Sequence, residues 1–128
     1  MAGRSFIQLL GALDPGVVVL GISFGPNGSS AIDQTTIRGR GVASVARSAA
    51  GVFTVTLSDV YTAVLSATAT LQLANSDDKF VSNLGTIDLS AKTIVIRVYD
   101  VSGAAFSDVA ADANNRINLT LVLKNSSV

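Results

Sequence analysis

The stretch Leu65-Ser66-Ala67-Thr68-Ala69-Thr70-Leu71-Gln72-Leu73 decides the fold. Its odd positions carry Leu65, Ala67, Ala69, Leu71 and Leu73, and its even positions carry Ser66, Thr68, Thr70 and Gln72. A helix would spread those polar residues around its circumference. In a strand successive side chains point to opposite faces, so this alternation predicts a half-buried strand. Three more stretches read the same way. Val52 to Leu57 sets Phe53, Val55 and Leu57 against Thr54 and Thr56; Thr93 to Tyr99 sets Ile94, Ile96 and Val98 against an outward Arg97; Ile117 to Lys124 lines up Ile117, Leu119, Leu121 and Leu123. In this register Leu71 and Leu121 are expected core residues.

Further strands follow outward from these four. Val17 to Phe24 places Val18, Leu20, Ile22 and Phe24 on one face. Val42 to Arg47 is expected to join the Phe53 strand through a four-residue loop, Ser48-Ala49-Ala50-Gly51, whose glycine can take positive φ. Thr86 to Leu89 reads as a short strand, and Phe6 to Leu10 as a further candidate. Turn wording separates them: Asp14-Pro15-Gly16, Gly25-Pro26-Asn27-Gly28, Gly39-Arg40-Gly41, Asn75-Ser76-Asp77-Asp78, Ser102-Gly103 and Asp112-Ala113-Asn114-Asn115. Ala104 to Ala113 is expected to be a loop rather than a helix. Seven or eight short strands at this spacing predict an all-β, single-domain antiparallel β-sandwich, jelly-roll-like. The expected domain is 1–128, with the sandwich over 17–125 and a possible N-terminal contact arm over 1–13.

Composition agrees. The 128 residues are 48% hydrophobic and 14% charged, with mean hydropathy +0.51, too apolar for a disordered chain. All nine acids are Asp, so the strongest acidic helix former is missing, while Val, Thr and Ser abound. Nine basic residues balance them, so no net field draws the chain to nucleic acid or an anionic membrane, and neither is an expected partner. There is no Cys and no His, which removes the thiol nucleophile, the Ser-His pair and the usual zinc ligands. The opening Met1 to Leu13 faintly resembles a signal peptide, but Gln8 interrupts its apolar run. Val17 to Phe24 is far short of the roughly 20 residues that span a bilayer.

The remaining constellations read as structure. Gly25-Pro26-Asn27-Gly28-Ser29-Ser30 lacks the Lys and spacing of a phosphate loop, and Pro26 removes an amide, so a β-turn is expected. Asp77, Asp78, Asp108 and Asp112, with Asn75, Asn114 or Asn115, lack the spacing of a calcium loop; no metal and no cofactor is expected. A two-carboxylate hydrolase would need an aromatic cleft, and with no Trp and two Tyr the chain is expected not to be an enzyme. Phe80, Tyr61, Tyr99 and Phe106 are few and scattered for a ligand-binding surface. Two clusters remain as candidate interface: the apolar Phe6, Ile7, Leu9 and Leu10, and the basic Arg38 and Arg40 with Arg47 nearby.

A resemblance covers about residues 18 to 125. It rests on Phe24-Gly25-Pro26-Asn27-Gly28-Ser29-Ser30, Gly39-Arg40-Gly41-Val42 and Val45 to Leu57. It continues through Ala67 to Leu73, Gly85 to Leu89, Lys92 to Arg97 and Asn115 to Asn125. In strand pattern and turn wording these segments resemble small structural proteins of tailed bacteriophages, most nearly capsid decoration or cement proteins. The resemblance implies a virion protein on the capsid surface, made in the host cytoplasm. Its partners would be the major capsid protein and further copies of itself, a trimer ahead of a dimer. A head-fibre, tail or receptor-binding β-module that recognises a host surface ligand is the alternative.

Overall fold

The computed structural model describes residues 16–75, 79–103 and 105–125. Within them lie eight strands: β1 (Val17–Phe24), β2 (Val42–Ala49), β3 (Val52–Leu57), β4 (Ala63–Gln72), β5 (Phe80–Asp88), β6 (Thr93–Asp100), β7 (Ala105–Phe106) and β8 (Arg116–Lys124). One 3-10 turn, Gln34–Thr36, interrupts the β1–β2 connection. The strands form two antiparallel sheets, β1-β8-β4 and β2-β3-β6-β5, with β7 on β6. The protein is an all-β sandwich. Phe6, Ile7, Leu9 and Leu10, and with them the expected arm, lie outside the described residues.

The alternation in the sequence becomes the core. One sheet contributes Phe24, Ile117, Leu119, Leu121 and Leu123; the other contributes Phe53, Val55, Leu57, Ile94, Ile96 and Val98, all sealed from solvent. Burying each such side chain is worth about 1.5–3 kcal/mol. The rings of Phe24 and Phe53 meet across the layers, 5.7 Å apart and tilted by 60°. Strand β1 behaves as its pattern predicts, turning Val18, Leu20, Ile22 and Phe24 to the core.

Several expectations need correction, each for a local reason. Leu65 does not face the core. The β4–β8 register shifts between Val64 and Ser66, so the bulge flips the phase: Val64 packs inward and Leu65 is 46% exposed. Leu71 is half-buried against the core, because β4 lies at a sheet edge, whereas Leu121 on central β8 is fully buried. The β2–β3 loop is tighter than expected, with Ala49 paired to Val52 and only Ala50-Gly51 between. Gly51 takes φ 65° as predicted, and a register shift between Arg47 and Ala49 absorbs the extra residue. Strand β5 begins at Phe80 rather than Thr86; its register shifts between Leu84 and Ile87, which broke the alternation that would have revealed it. The stretch before β8 is a loop, except that Ala105–Phe106 form the short β7.

Candidate interaction surface

The β1–β2 connection is built by its own polar side chains. Asp33 caps the 3-10 turn, accepting from the Thr35 N–H at 2.9 Å and the Thr35 hydroxyl at 2.7 Å, which holds its carboxyl below the ordinary carboxylate range. Thr36 Oγ1 accepts from the Gly25 N–H at 3.1 Å and donates to the Asp33 carbonyl at 2.7 Å. The chain then returns beside β1, where Ser23 and Arg38 exchange backbone bonds of 3.0 and 2.7 Å. Gly39 follows with φ 105°, so close that a Cβ there would overlap the Gly21 carbonyl oxygen. Arg38 and Arg40 are therefore held exposed along the edge of β1, Arg38 beside Ser23 and Arg40 between the two glycines that abut Gly21 and Leu20.

Arg116 joins them, although nothing in its sequence context singled it out. It stands on the outer face of β8, yet is 92% buried, because the returning connection covers it. Its Nε donates to Ser23 Oγ at 3.0 Å and its Nη2 to the Thr36 carbonyl at 2.8 Å. Burial pulls its pKa below the ordinary arginine value, and the charge of Arg38 adds to that. A groove of about 390 Å³ opens beside it, walled by Gly25, Pro26, Asp33 and Asp112. Arg116 thus ties β1, β8 and the connection together at the base of the Arg38–Arg40 patch.

Arg47 does not belong to that patch. It makes a bidentate pair with Asp108, at 2.8 and 2.7 Å, and Asp108 also accepts from the Gly51 N–H at 2.9 Å. This clamps the loop after β7 to the β2–β3 hairpin. Asp112 accepts from the Asn114 N–H within its own turn, and buried Asn115 bonds both the Ala74 N–H and the Ala110 carbonyl. Asp108 and Asp112 thus serve loop geometry, Asp77 and Asp78 lie outside the described residues, and no metal-holding group of three acids, His or Cys occurs among the described residues. The aromatics are less scattered than their numbering implies: β6–β7 pairing sets Tyr99 and Phe106 edge to face at 5.8 Å, with Phe106 half exposed.

The outer face of the three-stranded sheet carries an apolar strip beside Lys124 at one end. Val19 pairs with Val122, and Val122 with Ser66 beside the outward Leu65; Val19 is 52% exposed. No charged residue lies in β1 or β4. No family model matches the chain, and no characterised protein or solved structure matches it.

Proposed function

We propose that this protein is a structural, non-catalytic virion component, a capsid decoration protein that binds the outside of a phage head and ties major capsid subunits together. The observation that carries the reading is how its polar side chains are spent. Arg47, Asp108, Gln34 and Arg116 bond loops to strands and Asn115 bonds one loop to another, making a stiff body, while exposed Val19, Leu65, Arg38 and Arg40 remain for contact. A cement protein needs rigidity and an adhesive surface, and several weak contacts per assembly add up by effective concentration. The resemblance in strand and turn wording supplies the phage context.

The test is co-sedimentation of the purified protein with intact and with stripped phage heads. Saturable, stoichiometric binding to heads supports the proposal; binding to host cells but not heads rejects it. The second outcome would favour a receptor-binding module, for which the pairing of exposed Phe106 with partly buried Tyr99 is the supporting feature.

A further inference from the structure

Sheet edges invite pairing with other chains, and folded proteins blunt them with charges, bulges or covering groups. Three of the four long edge strands here are blunted. On β2 the side-chain amide of Gln34 bonds both backbone groups of Val45, and two register shifts distort the rest. Strand β5 has a register shift and ends on Asp88. Strand β4 has its bulge at Leu65, and its Ala69 carbonyl accepts from the Ser82 hydroxyl at 2.7 Å. Strand β1 differs over its first half: it pairs with β8 without a register shift, carries no charge and no proline, and is covered by the returning connection only from Gly21 to Ser23.

Which of its groups face outward follows from the ladder. Ser23 bonds Arg38 on the side away from β8, so by the two-residue alternation Gly21, Val19 and Val17 also turn their N–H and C=O away from β8. Gly39 closes on the Gly21 carbonyl, which ends the open stretch there. Val17 and Val19 remain, with no backbone partner on that side among the described residues.

We propose that this edge of β1 pairs antiparallel with the same edge of a second copy, about a two-fold axis at Val18. Val17 of one copy then exchanges both backbone bonds with the partner's Val19, and the reverse. The arrangement joins two three-stranded sheets into one and is self-complementary. On the outer face Val17 and Val19 of each copy meet side by side, flanked by Val122, and Val18 meets the partner's Val18 on the inner face. Lys124, opposite Val17, faces no like charge, because the partner presents Val19 and then Val122 in that row. This inference does not depend on the capsid reading.

So short a contact makes a weak, transient dimer. Sedimentation of the full chain over a concentration series, with amide exchange read at each concentration, tests it. The expected result is a sedimentation coefficient that rises with concentration, while exchange of the Val17 and Val19 amides slows in step. Val19→Lys, an exposed position, should weaken association by about tenfold or more by setting two cations together across the axis. Val19→Pro should do the same while leaving the β8 ladder intact, since that N–H is not part of it. A chain that stays monomeric to about 1 mM overturns the proposal. So does a dimer in which the two amides exchange freely, or protection unchanged by dilution, which would mean the chain covers its own edge.

Discussion

The side-chain amide of Gln34 meets the backbone of Val45 as a neighbouring strand would: Nε2 donates to the Val45 carbonyl at 2.7 Å, and Oε1 accepts from the Val45 N–H at 3.1 Å. Nε2 also donates to the Ile32 carbonyl, so one residue closes the β2 edge and fastens the β1–β2 connection to it. Gln34→Leu should cost about 1–3 kcal/mol in urea denaturation, the penalty of leaving a partly buried donor and acceptor unmet. Faster amide exchange at Val45 would accompany it. Unchanged stability together with unchanged exchange would refute this role.

Three leucines separate core from edge and bulge. Leu121→Ala should cost about 2–5 kcal/mol, because the side chain is sealed between the sheets. Leu71→Ala, half-buried on β4, should cost less. Leu65→Ala should stay within about 0.5 kcal/mol, since the bulge turns that side chain to solvent. A Leu65→Ala loss as large as that of Leu121→Ala would place the bulge elsewhere.

Two glycines that touch each other respond in opposite ways. Gly39→Ala must place a Cβ into the Gly21 carbonyl oxygen at φ 105°, and should destabilise by more than about 1 kcal/mol. Gly21→Ala meets nothing within 4 Å in the β1 interior, and should stabilise by about 0.5–1 kcal/mol. Thermal melts of the two variants check the pair.

The Arg47–Asp108 clamp predicts an acid limb. Hydrogen bonds from the Arg47 guanidinium, opposed by burial and helped by the Gly51 N–H, hold the Asp108 pKa below the ordinary 3.8. Below the ordinary value the unfolded chain binds more protons than the folded one, so stability rises with pH there. The Asp108 contribution is therefore complete above pH 3.8 and is lost as pH falls through the lower folded value. Asp33 and Asp88, both lowered chiefly by side-chain hydroxyl bonds, act in the same direction. Melting temperature followed from neutral pH into acid should fall in that window, with a shallower fall in Asp108→Asn. An equally steep fall in the variant would assign the acid limb to other carboxylates.

Where strands are regular, the sequence is transparent. Phe53-Val55-Leu57, Ile94-Ile96-Val98 and Ile117-Leu119-Leu121-Leu123 are buried as their alternation implies. The alternation fails at register shifts: it points Leu65 to the inner face, and it hides the first half of β5. A bulge adds one residue to a two-residue period, so it inverts every inference on one side of it. Arg116 is a different case. Its position in the β8 alternation reads as outward, and only the returning 25–41 connection, which is far away along the chain, buries it.

Composition and alternation by themselves determined that this chain is an all-β sandwich with its apolar faces turned inward, because a strand's two-residue period is a local property that burial writes directly into the sequence. Which strands lie at the edges, which of those edges Gln34 and Ser82 close, and that β1 stays regular and uncharged were decided only by the tertiary structure. Strand pairing joins residues remote in the chain, such as Ser23 with Arg38 and Val19 with Val122, and no local pattern records a partner that distant.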